Sequence, residues 1–327
     1  MKSMDLTLAC LSEIPNLTVS RDAPLSDYTR FAIGGPADIY AETASVDAFV
    51  EALAVARASG RDYMVMGGGT NLIVSDEGFR GIMLRFVARE MHADANRVQC
   101  DAGAVLQDLV DFTVDRGFQG LETLAGIPGS VGAAVYGNAG AYGHSISESV
   151  RQVRFFDGAR VREFDQAECE FHYRESIFKR HKEWIIFSAE LELARADAAA
   201  LRKTADDIVR VRNEKFPVTM KCAGSIFKNF LLVELPPPVA AAIPAKVIRE
   251  GKVPAAYFLE QAGAKGMSRG EIHVASYHAN LIYNSGGGTA ADLCALIAEL
   301  KDRVRRQFGV DLEEEVQYVG FADAVRA

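Results

Sequence analysis

The chain is poor in the features that announce several common protein classes. Its five cysteines (Cys10, Cys100, Cys169, Cys222 and Cys294) are scattered and odd in number, and no two form a C-x-x-C pair. That pattern argues against a structural zinc site or a disulfide framework and fits a reducing compartment. The six histidines are dispersed and none stands in an H-E-x-x-H, so no metal is expected. No apolar run approaches the roughly 18 residues of a spanning helix. The N-terminal segment, broken by Glu13 and Pro15, makes a poor signal peptide. There is no long basic block, and 36 Lys and Arg against 44 Asp and Glu leave a net charge of −8. Nucleic acid is therefore not an expected partner. The expectation is a cytoplasmic protein without membrane insertion. Neither an internal repeat nor a signal for an oligomeric state is evident.

What the chain does have is glycine concentrated in two places. With 327 residues, 49% of them hydrophobic, it is long enough for two or three domains with sizeable cores. The first concentration follows the apolar run Tyr63-Met64-Val65-Met66 and reads Gly67-Gly68-Gly69-Thr70-Asn71-Leu72. No Lys follows it, which excludes a P-loop. The residues after it, Leu72-Ile73-Val74 and Ser75-Asp76-Glu77-Gly78, read as strand and turn, whereas a dinucleotide fingerprint needs a helix there. A strand, a glycine loop and another strand fit a pyrophosphate loop set in a sheet. Taken alone, they fit a plain surface turn equally well. The second concentration, Leu121 to Gly143, carries Gly126, Gly129 and Gly132, then Gly137, Gly140 and Gly143. Glycine this dense lets backbone pack closely against something flat or bulky, or against a neighbouring helix.

The periodicity around these stretches divides the chain into three. Residues 1–28 show little pattern. Ser45 caps a helix with Val46, Phe49, Val50 and Leu53 on one face, and Gly60 ends it. The first region closes near Phe86, with residues 318–327 as a candidate return to it. The second, 87–213, holds a strand at Val98–Ala102, a helix over about 105–116, strands at Val150–Phe156, Val161–Phe164 and Trp184–Leu193, and a long helix ending at Asn213. The third, 214–317, contains a Pro236-Pro237-Pro238 loop, an Ala-rich stretch and a final helix capped by Thr289 and ended by Gly309. A strand over Glu315-Val316-Gln317-Tyr318-Val319 closes the chain.

Three further segments carry polar chemistry. Tyr173-Arg174-Glu175-Ser176-Ile177-Phe178-Lys179 sets an Arg among aromatic residues. Ala223-Gly224-Ser225-Ile226-Phe227-Lys228-Asn229 puts a Ser after Gly in a turn-like context. Leu312-Glu313-Glu314-Glu315-Val316 brings a carboxylate to the start of an apolar strand. Singly, each reads as a surface ion pair, a turn residue or a solvated acidic run.

In this order behind the two glycine regions, the segments resemble the UDP-N-acetylenolpyruvoylglucosamine reductases of bacterial cell-wall synthesis. The similarity runs from Ile33-Gly34-Gly35-Pro36-Ala37 to Glu315-Val316. Its marks are the loop at 67–72, Ala125-Gly126-Ile127-Pro128-Gly129-Ser130-Val131-Gly132, Asn138-Ala139-Gly140-Ala141-Tyr142-Gly143, the Tyr-Arg-x-Ser-x-Phe segment and Ala-Gly-Ser-x-Phe-Lys-Asn. The resemblance implies an α+β architecture. It combines a two-part FAD-binding fold of the vanillyl-alcohol-oxidase-like (PCMH-type) class with a C-terminal α+β substrate domain. It implies non-covalent FAD between the first two regions, NADPH as hydride donor and a UDP-sugar substrate. By motif, FAD is held by Gly67, Gly68, Gly69, Thr70, Asn71, Leu72, Ile127, Gly129, Ser130, Gly132, Asn138 and Gly140. The UDP-sugar is met by Tyr173, Lys215, Lys228 and Asn229. Ser225 is the implied proton donor, with Arg174 and Glu315 stabilising charge on the substrate carboxylate. A Glu beside that carboxylate would repel it unless protonated or hydrogen-bonded through Arg174.

Departures from the family pattern are Phe230 and Glu314, where Pro is usual, and Ala133, where a second Gly is frequent. The short stretch between Arg174 and Ser225 resembles the subfamily lacking an extra substrate-covering Tyr loop. Two other classes compete. An FAD oxidase of the same wider fold would often tether its flavin through His or Cys, and the loop at 67–72 has neither. A non-catalytic flavin- or nucleotide-sugar-binding protein would leave Arg174, Ser225 and Glu315 apart.

Overall fold

The computed structural model describes residues 3–322, which divide into two compact units. The first comprises residues up to Ala23, Ala37–Gly68 and Arg80–Glu214; the second comprises Pro24–Pro36, Gly69–Phe79 and the residues from Lys215 onward. Each has its own apolar core.

The first unit holds two larger sheets. One orders its strands Thr18–Pro24, Pro36–Thr43, Phe79–Phe86 and Tyr63–Met66, the last two parallel. The other is antiparallel, in the order Val161–Asp165, Val150–Phe156, Ile185–Glu192, Arg97–Asp101 and Met91–Asp94. Helix Val46–Ser59 starts and stops as its sequence dictates. The Ser45 hydroxyl accepts from the Ala48 N–H, and Gly60 ends the helix in the left-handed region at φ +70°. Phe49 and Leu53 are buried from this helix, and Phe49 meets Phe86 and Phe187 edge to face.

Two local expectations are corrected. Residues 1–28, without evident pattern in sequence, form helix Met4–Ser12 and strand Thr18–Pro24. The helix buries only Thr7 and Leu11, so its apolar stripe is too thin to register as a period. The Pro236-Pro237-Pro238 loop opens a short helix, Pro237–Ala242, where Pro tolerates the first turn because its missing N–H has no partner there.

In the second unit an antiparallel sheet runs Lys221–Ser225, Leu281–Asn284, Ile272–Val274 and Ser268–Arg269. Helix Ala290–Phe308 buries the expected Leu293, Leu296, Ile297, Leu300 and Val304. Besides its Thr289 cap, the N–H groups of Ala290 and Ala291 donate to the Asp76 carboxylate at 2.8 and 2.9 Å, across 214 residues of sequence. A negative charge at a helix N-terminus is favourable. It also binds the segment after the glycine loop to the C-terminal helix. Strand Gln317–Val319 pairs in parallel with Leu72–Val74. The two strands flanking the glycine loop thus join different sheets, Tyr63–Met66 with Phe79–Phe86 and Leu72–Val74 with Gln317–Val319.

Candidate active site

In the first unit the two glycine regions meet. A Cβ on Gly67 would lie 2.9 Å from Ser130 Oγ, and one on Gly68 would lie 3.4 Å from Gly129 Cα. A side chain on Gly67 would crowd the Ser130 hydroxyl, which favours glycine there, whereas one on Gly68 would make only ordinary contact. Ser130 caps helix Val131–Tyr136, accepting from the Ala133 N–H, and Gly132 is pressed onto Ala102, where a Cβ would come within 2.8 Å of the Ala102 Cβ. Among the described residues, the N–H groups of Gly67, Gly68, Gly129 and Ser130 donate to no protein acceptor. Clustered N–H groups left open in a side-chain-free cradle suit a phosphate, so these residues fit a dinucleotide's pyrophosphate. Gly126 receives a different support, its N–H donating to Gln107 Oε1 at 2.6 Å. The Ile127 N–H donates to Leu124 O, and Gly140 opens the strand pair Gly140–Ala141 with His144–Ser145. Asn138 is buried and its carboxamide is spent internally, donating to His172 O at 2.8 Å and accepting from the Ser147 N–H. Its backbone N–H is spent as well, donating to Val135 O at 3.2 Å.

The Tyr173–Phe178 segment shows how a short motif builds a presented side chain. His172 and Glu175 exchange N–H···O bonds, making a two-residue turn with Tyr173 and Arg174 at its tip. Arg174 holds φ +58°, uncommon for a residue with a side chain and set by its place in this two-residue turn. Its guanidinium carbon lies 5.8 Å from the Tyr173 ring centre. Behind the tip, the Ser176 hydroxyl donates to Tyr136 O at 2.6 Å, and Phe178 is buried edge-on against Phe155. Lys179 Nζ binds both Arg174 O and the Glu175 carboxylate at 2.9 Å. Ser176, Phe178 and Lys179 anchor the turn that carries Tyr173 and Arg174 at its tip.

Ser225 and Glu315 both belong to the second unit and lie on adjoining backbone. Cys222 pairs with Tyr283 and Ser225 with Leu281, so one extra residue is accommodated between them. This bulge is formed with Gly224 at φ +76° and open space where its side chain would be. Ser225 is half-buried, and its hydroxyl bonds to no other described residue. The next residue, Ile226, accepts the Glu315 N–H at 2.7 Å, Phe227 bridges Glu314, and the Lys228 N–H donates to Glu313 O. Glu315 is also held through its carbonyl by Asn71 Nδ2 at 2.8 Å. Asn71, expected as a cofactor residue, therefore spends its amide on Glu315, which lies just before the last strand, Gln317–Val319, and not within it as the sequence suggested. Thr70 and Leu72 flank it, Leu72 opening the strand paired with Gln317. The neighbouring Gly69 turns at φ +64°.

Of the expected substrate residues, Lys228 is paired with the Glu313 carboxylate, and Asn229 Oδ1 accepts the Ala255 N–H at 3.2 Å. Lys215 receives the Tyr277 hydroxyl on its carbonyl at 3.0 Å. Close to it, His278 is pushed below its ordinary 6.5 by burial first and by the Lys215 charge second, so it is neutral near pH 7. Among the described residues no group of His, Cys, Asp and Glu could hold a metal ion, and no helix is long and apolar enough to cross a membrane.

Sequence reasoning missed Asn280 and Asn284. Both are buried at the ends of strand Leu281–Asn284. Asn284 donates to Phe31 O and accepts from the Gly286 and Gly288 N–H groups. The one signal was an amide inside the apolar run Ala279-Asn280-Leu281-Ile282, where a polar group must find partners.

Comparison with known proteins covers most of the chain. Residues 37–160 match the FAD binding domain family, and residues 216–319 match the UDP-N-acetylenolpyruvoylglucosamine reductase C-terminal domain family. The UDP-N-acetylenolpyruvoylglucosamine reductase of Solibacter usitatus (strain Ellin6076) is 70% identical over 95% of this chain and 99% of its own length. That of Rubrobacter xylanophilus is 36% identical over 91% of this chain and 94% of its own length. The crystal structure of the UDP-N-acetylenolpyruvylglucosamine reductase of Thermus caldophilus superposes with a TM-score of 0.70 at 28% identity, covering 93% of this chain and 98% of that one.

Proposed function

Since the chain belongs to the UDP-N-acetylenolpyruvoylglucosamine reductase family, we propose that it reduces UDP-N-acetylglucosamine enolpyruvate to UDP-N-acetylmuramate, with NADPH as hydride donor, in the synthesis of peptidoglycan precursors. The observation that carries this is the 70% identity to the Solibacter usitatus enzyme over 95% of the chain. FAD, held non-covalently, supplies the hydride relay from NADPH to the methylene carbon of the enolpyruvyl group. The backbones of Gly67, Gly68, Gly129 and Ser130 cradle its pyrophosphate. The remaining steps fall to side chains. Hydride arrival leaves an electron pair at the carbon beside the substrate carboxylate. Arg174 and Glu315 stabilise the charge that spreads onto that carboxylate, an effect realised in the transition state. The Ser225 hydroxyl gives its proton to the carbanion carbon, completing the addition of one hydride and one proton across the double bond. A hydroxyl that bonds to no other described residue can turn toward substrate. Lys215 and Lys228 meet the diphosphate, with Tyr173 and Asn229 beside the sugar. The three-part division at 1–86, 87–213 and 214–317 and a cytoplasmic location belong to this reading.

The test is direct. Purified protein mixed with NADPH and UDP-N-acetylglucosamine enolpyruvate should consume NADPH only when the sugar is present, and acid precipitation should release all its flavin into solution. NADPH consumption that needs oxygen and ignores the UDP-sugar would replace the assignment with an oxidase.

A further inference from the structure

We propose that Asn280 is a positioning residue for proton transfer, holding the backbone from which Ser225 and Glu315 project; this rests on the role given above to Ser225. Asn280 is 2% exposed. Its Oδ1 accepts the Phe227 N–H at 2.9 Å and its Nδ2 donates to Phe227 O at 2.9 Å, so one side chain closes both polar groups of a single peptide residue. Its own carbonyl accepts the Ile226 N–H at 3.2 Å. Ile226 in turn receives the Glu315 N–H, and Phe227 bridges Glu314. Asn280 therefore grips the two residues that follow Ser225 and that dock the Glu314–Glu315 segment.

The grip matters because of what precedes it. Ser225 leaves a β-bulge, with the register shifted between Cys222 and Ser225 and with Gly224 in the left-handed region facing open space. A side chain at Gly224 would meet nothing within 4 Å, so no side-chain packing at that position holds the bulge. The backbone that carries the Ser225 hydroxyl is held by the Leu281 pairing and, on its C-terminal side, by the Asn280 clamp. Only a group that donates and accepts at once can make this clamp. Ionised Asp keeps the shape but loses the donor, and turns a buried charge toward the Phe227 carbonyl. Ala leaves two buried backbone groups unsatisfied.

The experiment separates the two half-reactions in stopped flow and adds amide exchange at Phe227. Asn280→Ala should be reduced by NADPH within about twofold of wild type, since no proton donor acts there, yet reoxidise with the UDP-sugar about 10–100-fold more slowly, the scale of a small misplacement of a reacting group. The Phe227 amide should exchange at least about tenfold faster as its acceptor is lost. Asn280→Asp, nearly isosteric, carries the test if the Ala protein does not fold. Burial and the facing carbonyl raise the new carboxyl's pKa. Its deficit relative to wild type should therefore shrink as pH falls and the protonated acid regains a donor. A folded, flavin-loaded variant that reoxidises at the wild-type rate overturns the proposal. So does an equal fall in both half-reactions, or an Asp deficit indifferent to pH. Ser225→Ala run in parallel distinguishes the failures: normal reoxidation in that variant removes the Ser225 reading itself, whereas a slow Ser225→Ala beside a normal Asn280→Ala removes only the clamp.

Discussion

The glycine cradle of the first unit and the Ser225 segment of the second solve the same problem by opposite means. Each must hold backbone in a defined place beside a ligand. In the cradle, position comes from taking side chains away: Gly67 and Gly68 rest against Ser130 and Gly129, and Gly132 against Ala102. In the Ser225 segment, position comes from adding partners: Asn280 clamps Phe227, Ile226 receives Glu315, and Asn71 holds the Glu315 carbonyl. Close approach at Gly67 and Gly132 marks residue type locally, because a Cβ there would come within 2.9 and 2.8 Å of a neighbour. Holding leaves no such local mark, because the partners come from strands distant in sequence. One solution is therefore written plainly in sequence and the other is not.

Substitutions on the two sides should fail differently. The largest effect is expected at Ser225, where Ala should slow reoxidation by the UDP-sugar by about 10²–10⁴-fold, typical of a lost general acid. Reduction by NADPH should stay near normal, and Ser225→Cys, which keeps a donor, should retain more activity than Ala. A folded Ser225→Ala protein that reoxidises normally would strip the second region of its chemical role.

Next come the glycines themselves, where crowding and φ can be told apart. Gly132→Val has no room beside Ala102 and should cost about 1–3 kcal/mol, with a lowered Tm and reduced flavin content. Gly224→Asn meets nothing within 4 Å. The φ +76° there suits Asn better than other residues, so the loss should be about 1 kcal/mol or less. If thermal melting ranks Gly224→Asn as the more damaging, packing is not what selects glycine in the cradle.

The smallest effect concerns acid stability beside the Ser225 segment. His278 has a folded pKa below its ordinary 6.5, through burial and then Lys215. Between those two values the unfolded chain binds the extra proton, so stability rises with pH across that window and is lost as pH falls through it; above it the residue contributes no slope. His278→Asn should flatten this acid-side loss in urea unfolding measured from about pH 7 down to about pH 5. An unchanged slope would show that burial at this turn does not hold the ring neutral.

Much of the fold was legible because its signals are local. The Ser45 and Thr289 caps, the stops at Gly60 and Gly309 and the buried face Leu293–Val304 follow from hydrogen-bonding and packing rules spanning a few residues. Helix Met4–Ser12 escaped notice because two buried residues make no visible stripe. The presented pair Tyr173 and Arg174 could be named from sequence. Their left-handed turn, its Ser176 anchor on Tyr136 and its buried Phe178 could not.

Sequence by itself determined which residue types the chemistry has at hand: the glycines that admit close backbone approach, a serine after Gly224, an arginine among aromatic residues and a carboxylate just before the last strand. Tertiary structure alone decided what those residues do with their remaining hydrogen-bonding capacity. It turned the amides of Asn71 and Asn138 inward, set Asp76 on a helix N-terminus 214 residues away, and made Asn280 the clamp beside Ser225. The reason is physical. Steric exclusion acts on a residue's own backbone and leaves its mark at that position. A buried amide needs partners supplied by distant strands, and no local pattern encodes which ones.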